Sequence, residues 1–262
     1  MKITVFTSNQ PRHIAYINKL SKIADSVFAV VETGTIFPGA VSDFFQKTEV
    51  MQRYFAKVLA AELSIFPDHA FPDRNVRIKP IRRGDLNLMN REQLSVALES
   101  DYYLVFGSSY IKGWLSDFLC QSRALNIHMG LSPYYRGSSC NFWALYDSHP
   151  NYVGATVHYL TKGLDSGPML FHSIPSFSGQ TPFEYSMSAV DKVQDDLVER
   201  IADDNLPLHA LEQRKDLEVR YSRNVEFNDQ VAMDFLSRDL SPSKLEKDLQ
   251  DTHKPPFLIL DV

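Results

Sequence analysis

The chain is poor in cysteine: Cys120 and Cys140 are the only two in 262 residues. Two thiols can neither build a disulfide framework nor fill a four-ligand zinc site, so both are expected to be free, half-buried thiols in a reducing compartment, and no metal is expected. Long hydrophobic runs are also missing. The opening Ile3-Thr4-Val5-Phe6 breaks at once into Ser8-Asn9-Gln10, too short for a secretory leader. No window approaches the roughly 20 apolar residues of a membrane span. The expectation is a cytoplasmic protein without a membrane partner. Positive charge is not in excess either. Lys and Arg number 27 against 32 Asp and Glu, a net charge of −5, which argues against a nucleic-acid partner, since that needs a basic field. There is no internal repeat and no low-complexity tract.

What is present is enough apolar sequence, 44% of residues, for one large domain or one domain with a small appendage. Residues 2–7 read as a short buried strand. Pro11 suits the first turn of a helix whose face carries Ile14, Ile17, Leu20, Ile23 and Ala24, and Val27–Val31 reads as a second buried strand. That β-α-β opening predicts an α/β protein with a doubly wound, mostly parallel sheet. The apolar stripe Val41, Phe44, Phe45, Met51, Tyr54, Phe55, Val58, Leu59 predicts a helix from about 40 to 63. Further strands are expected near 76–81, 102–106 and 124–127, with short helices at 92–98 and 111–119. Two strands, 153–160 and 169–174, flank a Gly163–Pro168 turn and predict an antiparallel hairpin. Thr181-Pro182 starts a long helix to about 203. Residues 205–262 read as a separate small module with helices near 228–237 and 242–251 and a final strand, leaving 1–204 as the main domain.

The chemistry concentrates in Asn126-Ile127-His128, at the end of a buried strand and before a Gly/Ser/Pro loop. Residues two apart on a strand share a face, and the carboxyl ends of strands are where ligands bind in open α/β sheets. An amide there can donate to a developing oxyanion, and an imidazole can exchange a proton near neutral pH. Asp165, in Gly163-Leu164-Asp165-Ser166-Gly167-Pro168, adds a carboxylate in a tight turn, for which an Asx-turn is the plainer explanation when it is taken alone.

Together these segments resemble the folate-dependent formyltransferases. The Asn126-Ile127-His128 triplet, the loop Leu131-Ser132-Pro133-Tyr134-Tyr135-Arg136-Gly137 and the turn Asp165-Ser166-Gly167 match that family's three motifs in order, and the likeness covers about residues 1–200. The resemblance implies a Rossmann-like formyltransferase fold and transfer of a formyl group from 10-formyltetrahydrofolate to an amine, with Asn126, His128 and Asp165 as the catalytic residues. It also implies a folate pocket formed by Gly107, Ser109, Tyr110 and Ile111 on one wall and Leu164 on the other.

Departures from the family pattern bear on the acceptor. The loop after the first strand, Ser8-Asn9-Gln10-Pro11-Arg12-His13, has no glycine, so glycinamide ribonucleotide is a poorer acceptor than a nucleotide-linked amino sugar of the kind used for surface polysaccharide. Met129 stands where the family usually has proline. Lys254-Pro255-Pro256-Phe257 resembles a late segment of the sugar-nucleotide enzymes. Asn9, Arg12, Tyr134, Arg136 and Trp143 are the candidate acceptor contacts, and the C-terminal module would bind acceptor or a second copy of the chain as a homodimer. A hydrolase releasing formate from 10-formyltetrahydrofolate is the alternative of a different class.

Overall fold

A computed structural model describes residues 1–41, 45, 47–67 and 71–260. Strands β1 (Lys2–Ser8), β2 (Ser26–Thr33), β3 (Val76–Arg82), β4 (Tyr102–Val105) and β5 (Leu125–His128) lie parallel in the order β3-β2-β1-β4-β5. A three-residue strand, β6 (Tyr135–Gly137), leaves this sheet. Strands β7 (Ala155–Tyr159) and β8 (Met169–Ser173) return as an antiparallel hairpin that extends the sheet beyond β5. The predicted doubly wound, mostly parallel sheet with an antiparallel hairpin is the architecture observed.

Alternation along β1 sets the two faces. Ile3 and Val5 pack with Tyr16, Ile17 and Leu20 of α1 (Pro11–Ser21). Phe6 joins Tyr103 and Val105 on the opposite face. A capped helix, α2 (Glu49–Ile65), follows β2. Helix α3 (Gly113–Gln121) covers the second face through Leu115 and Leu119. Beyond the short α4 (Cys140–Tyr146), the long α5 (Pro182–Ala202) seals the first face with Val190, Val193 and Leu197.

Helix α2 starts later than the apolar stripe predicted, at Glu49, because Thr48 caps it by accepting from the Met51 amide at 3.1 Å. Phe44 of that stripe lies outside the described residues. The helix expected at 92–98 is reduced to a 3₁₀ turn at Ser95–Leu98. Just before it, the side chains of Asn90 and Gln93 each accept from the other's backbone amide, a local alternative to helix. The start signal at Thr181 is a full capping box with Glu184. Thr181→Ala is therefore expected to cost about 1 kcal/mol of stability, read as a lower urea midpoint with an unchanged slope.

Beyond residue 204 the chain folds against the loop that follows β5. Strand β9 (Arg220–Ser222) pairs in parallel with β6. Gly137 permits this close approach: it has φ 90°, and a Cβ there would sit 2.0 Å from the Ser222 carbonyl oxygen. Helices α6 (Asp229–Leu236) and α7 (Pro242–Asp251) contribute Phe235 and Leu245 to an apolar cluster with Tyr54, Phe142 and Trp143. The predicted final strand is absent among the described residues. The tail instead attaches by reciprocal hydrogen bonds, between Phe257 and the Tyr134 hydroxyl and between Ile259 and His172.

Candidate active site

Asn126 and His128 leave the end of β5 on one face, opposite His158 and Thr156 of β7. The carboxylate comes from the turn between β7 and β8. Asp165 sits there at φ 45°, a left-handed conformation that aspartate tolerates better than most residues. Gly167 lets the turn fold back, since a Cβ there would lie 1.8 Å from the Tyr159 carbonyl oxygen. Two segments far apart in sequence thus meet. Asp165 Oδ2 lies 3.3 Å from His128 Nδ1, and Asp165 Oδ1 lies 3.3 Å from Asn126 Nδ2.

The proton inventory follows from what faces each nitrogen. His128 Nδ1 looks at the Asp165 carboxylate, while Nε2 looks at the Tyr135 carbonyl oxygen at 3.2 Å and the Cys140 sulfur at 3.5 Å. With acceptors on both sides, the ring is best satisfied as imidazolium. Burial opposes the charge, but the Asp165 carboxylate and Cys140 outweigh it, and the His128 pKa is raised well above 6.5. Burial likewise works against ionised Asp165, yet the His128 ring 3.3 Å away holds its pKa below the usual carboxylate range. The surroundings of His128 thus favour the imidazolium form.

Asn126 is also committed. Its Nδ2 lies 3.0 Å from His158 Nε2 as well as 3.3 Å from Asp165. His158 Nδ1 faces the Tyr159 carbonyl oxygen at 2.8 Å, which assigns the ring proton to Nδ1 and leaves Nε2 to accept from the amide. Both Asn126 N–H groups are therefore occupied, and donation to a substrate oxygen requires the longer bond, to Asp165, to be exchanged. His158 escapes sequence reasoning because its place beside Asn126 depends on the β5–β7 register. Gly130 escapes for a similar reason: a Cβ on it would meet Cys140 Cβ at 2.5 Å and His128 Nε2 at 2.8 Å.

Beside the cluster opens a cleft of about 780 Å³, with Asp165 in its wall. Of the residues expected to hold folate, Gly107, Ser109, Tyr110 and Leu164 line this cleft. Ile111 does not; it is buried in the core under α3. Gly107 has φ 75°, and a Cβ there would strike His13 Nε2 at 2.3 Å. Ser109 is fixed by the buried Glu32 carboxylate, which accepts from both its amide and its hydroxyl and from the Gly84 amide. The Tyr110 hydroxyl donates to the Lys162 carbonyl oxygen, tying the two walls together.

The expected acceptor contacts are placed differently. Only Arg12 borders the cleft. Its guanidinium and its backbone amide both donate to Glu62, at 2.8 and 3.1 Å. The Asn9 amide is closed on the backbone of Gly34. Tyr134 and Trp143 are buried, the first bonded to Phe257 and the second stacked under Arg220 at 3.7 Å. Arg136 pairs with Glu218 at 3.0 Å. Asn9 is taken up by the loop after β2, and the other three by packing and pairing where β9 and the tail cover the loop that carries Tyr134 and Arg136. Among the described residues no helix is long and apolar enough to cross a membrane, and no cluster of three potential ligands could hold a metal ion.

Residues 95–201 match the family model described as formyl transferase. Formyltetrahydrofolate deformylase 1 of Arabidopsis thaliana is 32% identical over 77 residues, 29% of this chain and 22% of its own. A methionyl-tRNA formyltransferase of Desulforamulus reducens is 39% identical over 49 residues, 19% of this chain and 15% of its own. The chain thus matches less than a quarter of the length of either relative. Among solved structures, a sugar N-formyltransferase from Shewanella aligns with TM-score 0.52 at 18% identity, covering 87% of this chain and 78% of its own. Glycinamide ribonucleotide transformylase 1 from Symbiobacterium toebii aligns with TM-score 0.51 at 19% identity, covering 82% and 93%. In sequence over residues 95–201, and in fold over most of its length, this chain resembles the formyltransferases.

Proposed function

We propose that the protein transfers a formyl group from 10-formyltetrahydrofolate to the amine of a nucleotide-linked amino sugar. The observation that carries this reading is the meeting of Asn126 and His128 with Asp165, which itself forms part of the wall of a cleft of about 780 Å³. The folate would lie between Gly107–Tyr110 and Leu164. The amine nitrogen attacks the formyl carbon, a C–N bond forms, and the carbonyl oxygen takes up negative charge. Asn126 exchanges its Asp165 bond for that oxygen, and the His128 imidazolium stabilises it. Collapse breaks the bond to the folate nitrogen, which takes the proton that His128 can supply, while the new amide sheds one toward Asp165 and water. Holding both reactants in line supplies much of the remaining rate.

The preference for an amino sugar over glycinamide ribonucleotide rests on Glu62. A helix N-terminus is a natural anion site, but at α1 the Glu62 carboxylate already accepts the Arg12 amide and guanidinium. A phosphate there would face a buried negative charge. Water as acceptor is the second reading, favoured by the match to Arabidopsis deformylases. Incubation with 10-formyltetrahydrofolate, alone and with a panel of amino-sugar nucleotides and glycinamide ribonucleotide, separates these. Formyl loss dependent on an amino-sugar nucleotide is the expected result. Loss without any amine would establish the hydrolase, and no loss in any arm would remove formyl chemistry altogether.

A further inference from the structure

The turn that carries Asp165 is braced from outside the sheet. Gln213 Nε2 donates to the Asp165 carbonyl oxygen at 2.8 Å and to the Gly167 carbonyl oxygen at 2.9 Å. The same segment is pinned to the root of β8, where Leu211 and Met169 exchange backbone hydrogen bonds at 2.8 and 2.7 Å. Among the described residues, Gln213 Oε1 is buried without a partner. Leaving a buried acceptor unsatisfied is costly, so its retention calls for an offsetting gain. Here the gain is at a left-handed aspartate, whose φ of 45° needs support from its surroundings. One side chain bonding the carbonyls on both sides of Ser166 fixes the turn at the points that set where the carboxylate aims.

We propose that Gln213 is a positioning residue, through which the segment following residue 205 holds Asp165 against His128. This deepens the formyl-transfer reading and rests on it for its catalytic consequence, though not for its geometric one. The chain beyond 205 would then complete the catalytic turn, whatever else it binds.

The test uses Gln213→Met, which keeps length and packing but removes the donors. The groups facing His128 are Asp165 from the turn, Cys140 from α4 and the Tyr135 carbonyl from β6, with His158 of β7 behind Asp165. If Asp165 is loosened, burial gains over its attraction and the His128 titration moves down, by roughly one pH unit. NMR of ¹⁵N-histidine-labelled protein reads this without substrate. In turnover, kcat is expected to fall about tenfold with KM little changed, and the alkaline limb of the pH profile moves down with it. Gln213→Asn, which keeps an amide but withdraws it by one methylene, is expected to act in the same direction and serves if the methionine variant does not fold. Wild-type titration of His128 in a folded variant would overturn the proposal. A shifted titration in a protein that transfers no formyl group would uphold the brace and discard the formyl-transfer reading.

Discussion

Asp165→Asn is expected to lower turnover by roughly 10²–10⁴-fold at neutral pH. Asparagine keeps the size of the side chain but removes the charge that makes the His128 imidazolium tolerable in a buried site. Burial then prevails, His128 becomes neutral, and the developing oxyanion loses its cation. Residual activity should rise as pH is lowered, because protonating His128 restores the missing charge. The stability profile should change as well. Asp165, with a lowered pKa, contributes stability that is full above 3.8 and is lost as pH falls through its folded value. His128, with a raised pKa, contributes stability that is full below 6.5 and is lost as pH rises through its folded value. Both are complete between those two values, so the wild type should outlast Asp165→Asn most clearly there. Urea unfolding across pH, with formyl-transfer rates beside it, measures both effects. Equal rates at neutral pH would remove Asp165 from the mechanism.

The second large effect is expected at Asn126. Asn126→Ala removes the amide proposed to exchange its Asp165 bond for the formyl oxygen, and kcat is expected to fall by about 10²–10³-fold. The substitution also leaves the acceptor nitrogen of buried His158 without its amide, so stability should drop by roughly 1–3 kcal/mol. Asn126→Asp should be worse on both counts, since it places a second carboxylate beside Asp165. A kcat loss with KM nearly constant would mark Asn126 as acting on the transition state. A rise in KM alone would mark it as a binding contact.

Much of this architecture was legible from residue pattern. The β-branched runs at 2–7 and 27–31 gave buried parallel strands because both faces of such a sheet are covered. The Thr181-Pro182 start was readable because capping chemistry is local. Asn126 and His128 were readable as a pair because strand alternation alone puts them on one face. The illegible parts depend on distant pairing. His158 acquires its place only through the register of β5 with β7, and Gln213 only through contacts 46 and 48 residues away along the chain. The acceptor candidates Tyr134, Arg136 and Trp143 looked available because nothing local shows that β9 and the tail fold over them. Arg12 reads as a free acceptor contact because its partner, Glu62, lies 50 residues on.

A crystal structure with a hydrolysis-resistant analogue of 10-formyltetrahydrofolate tests the central claim most directly. The pterin is expected between Gly107–Tyr110 and Leu164, with the formyl group directed at Asn126 Nδ2 and the Asp165–His128 pair. A folate bound outside this cleft, or a formyl group turned away from Asn126 and His128, would contradict it.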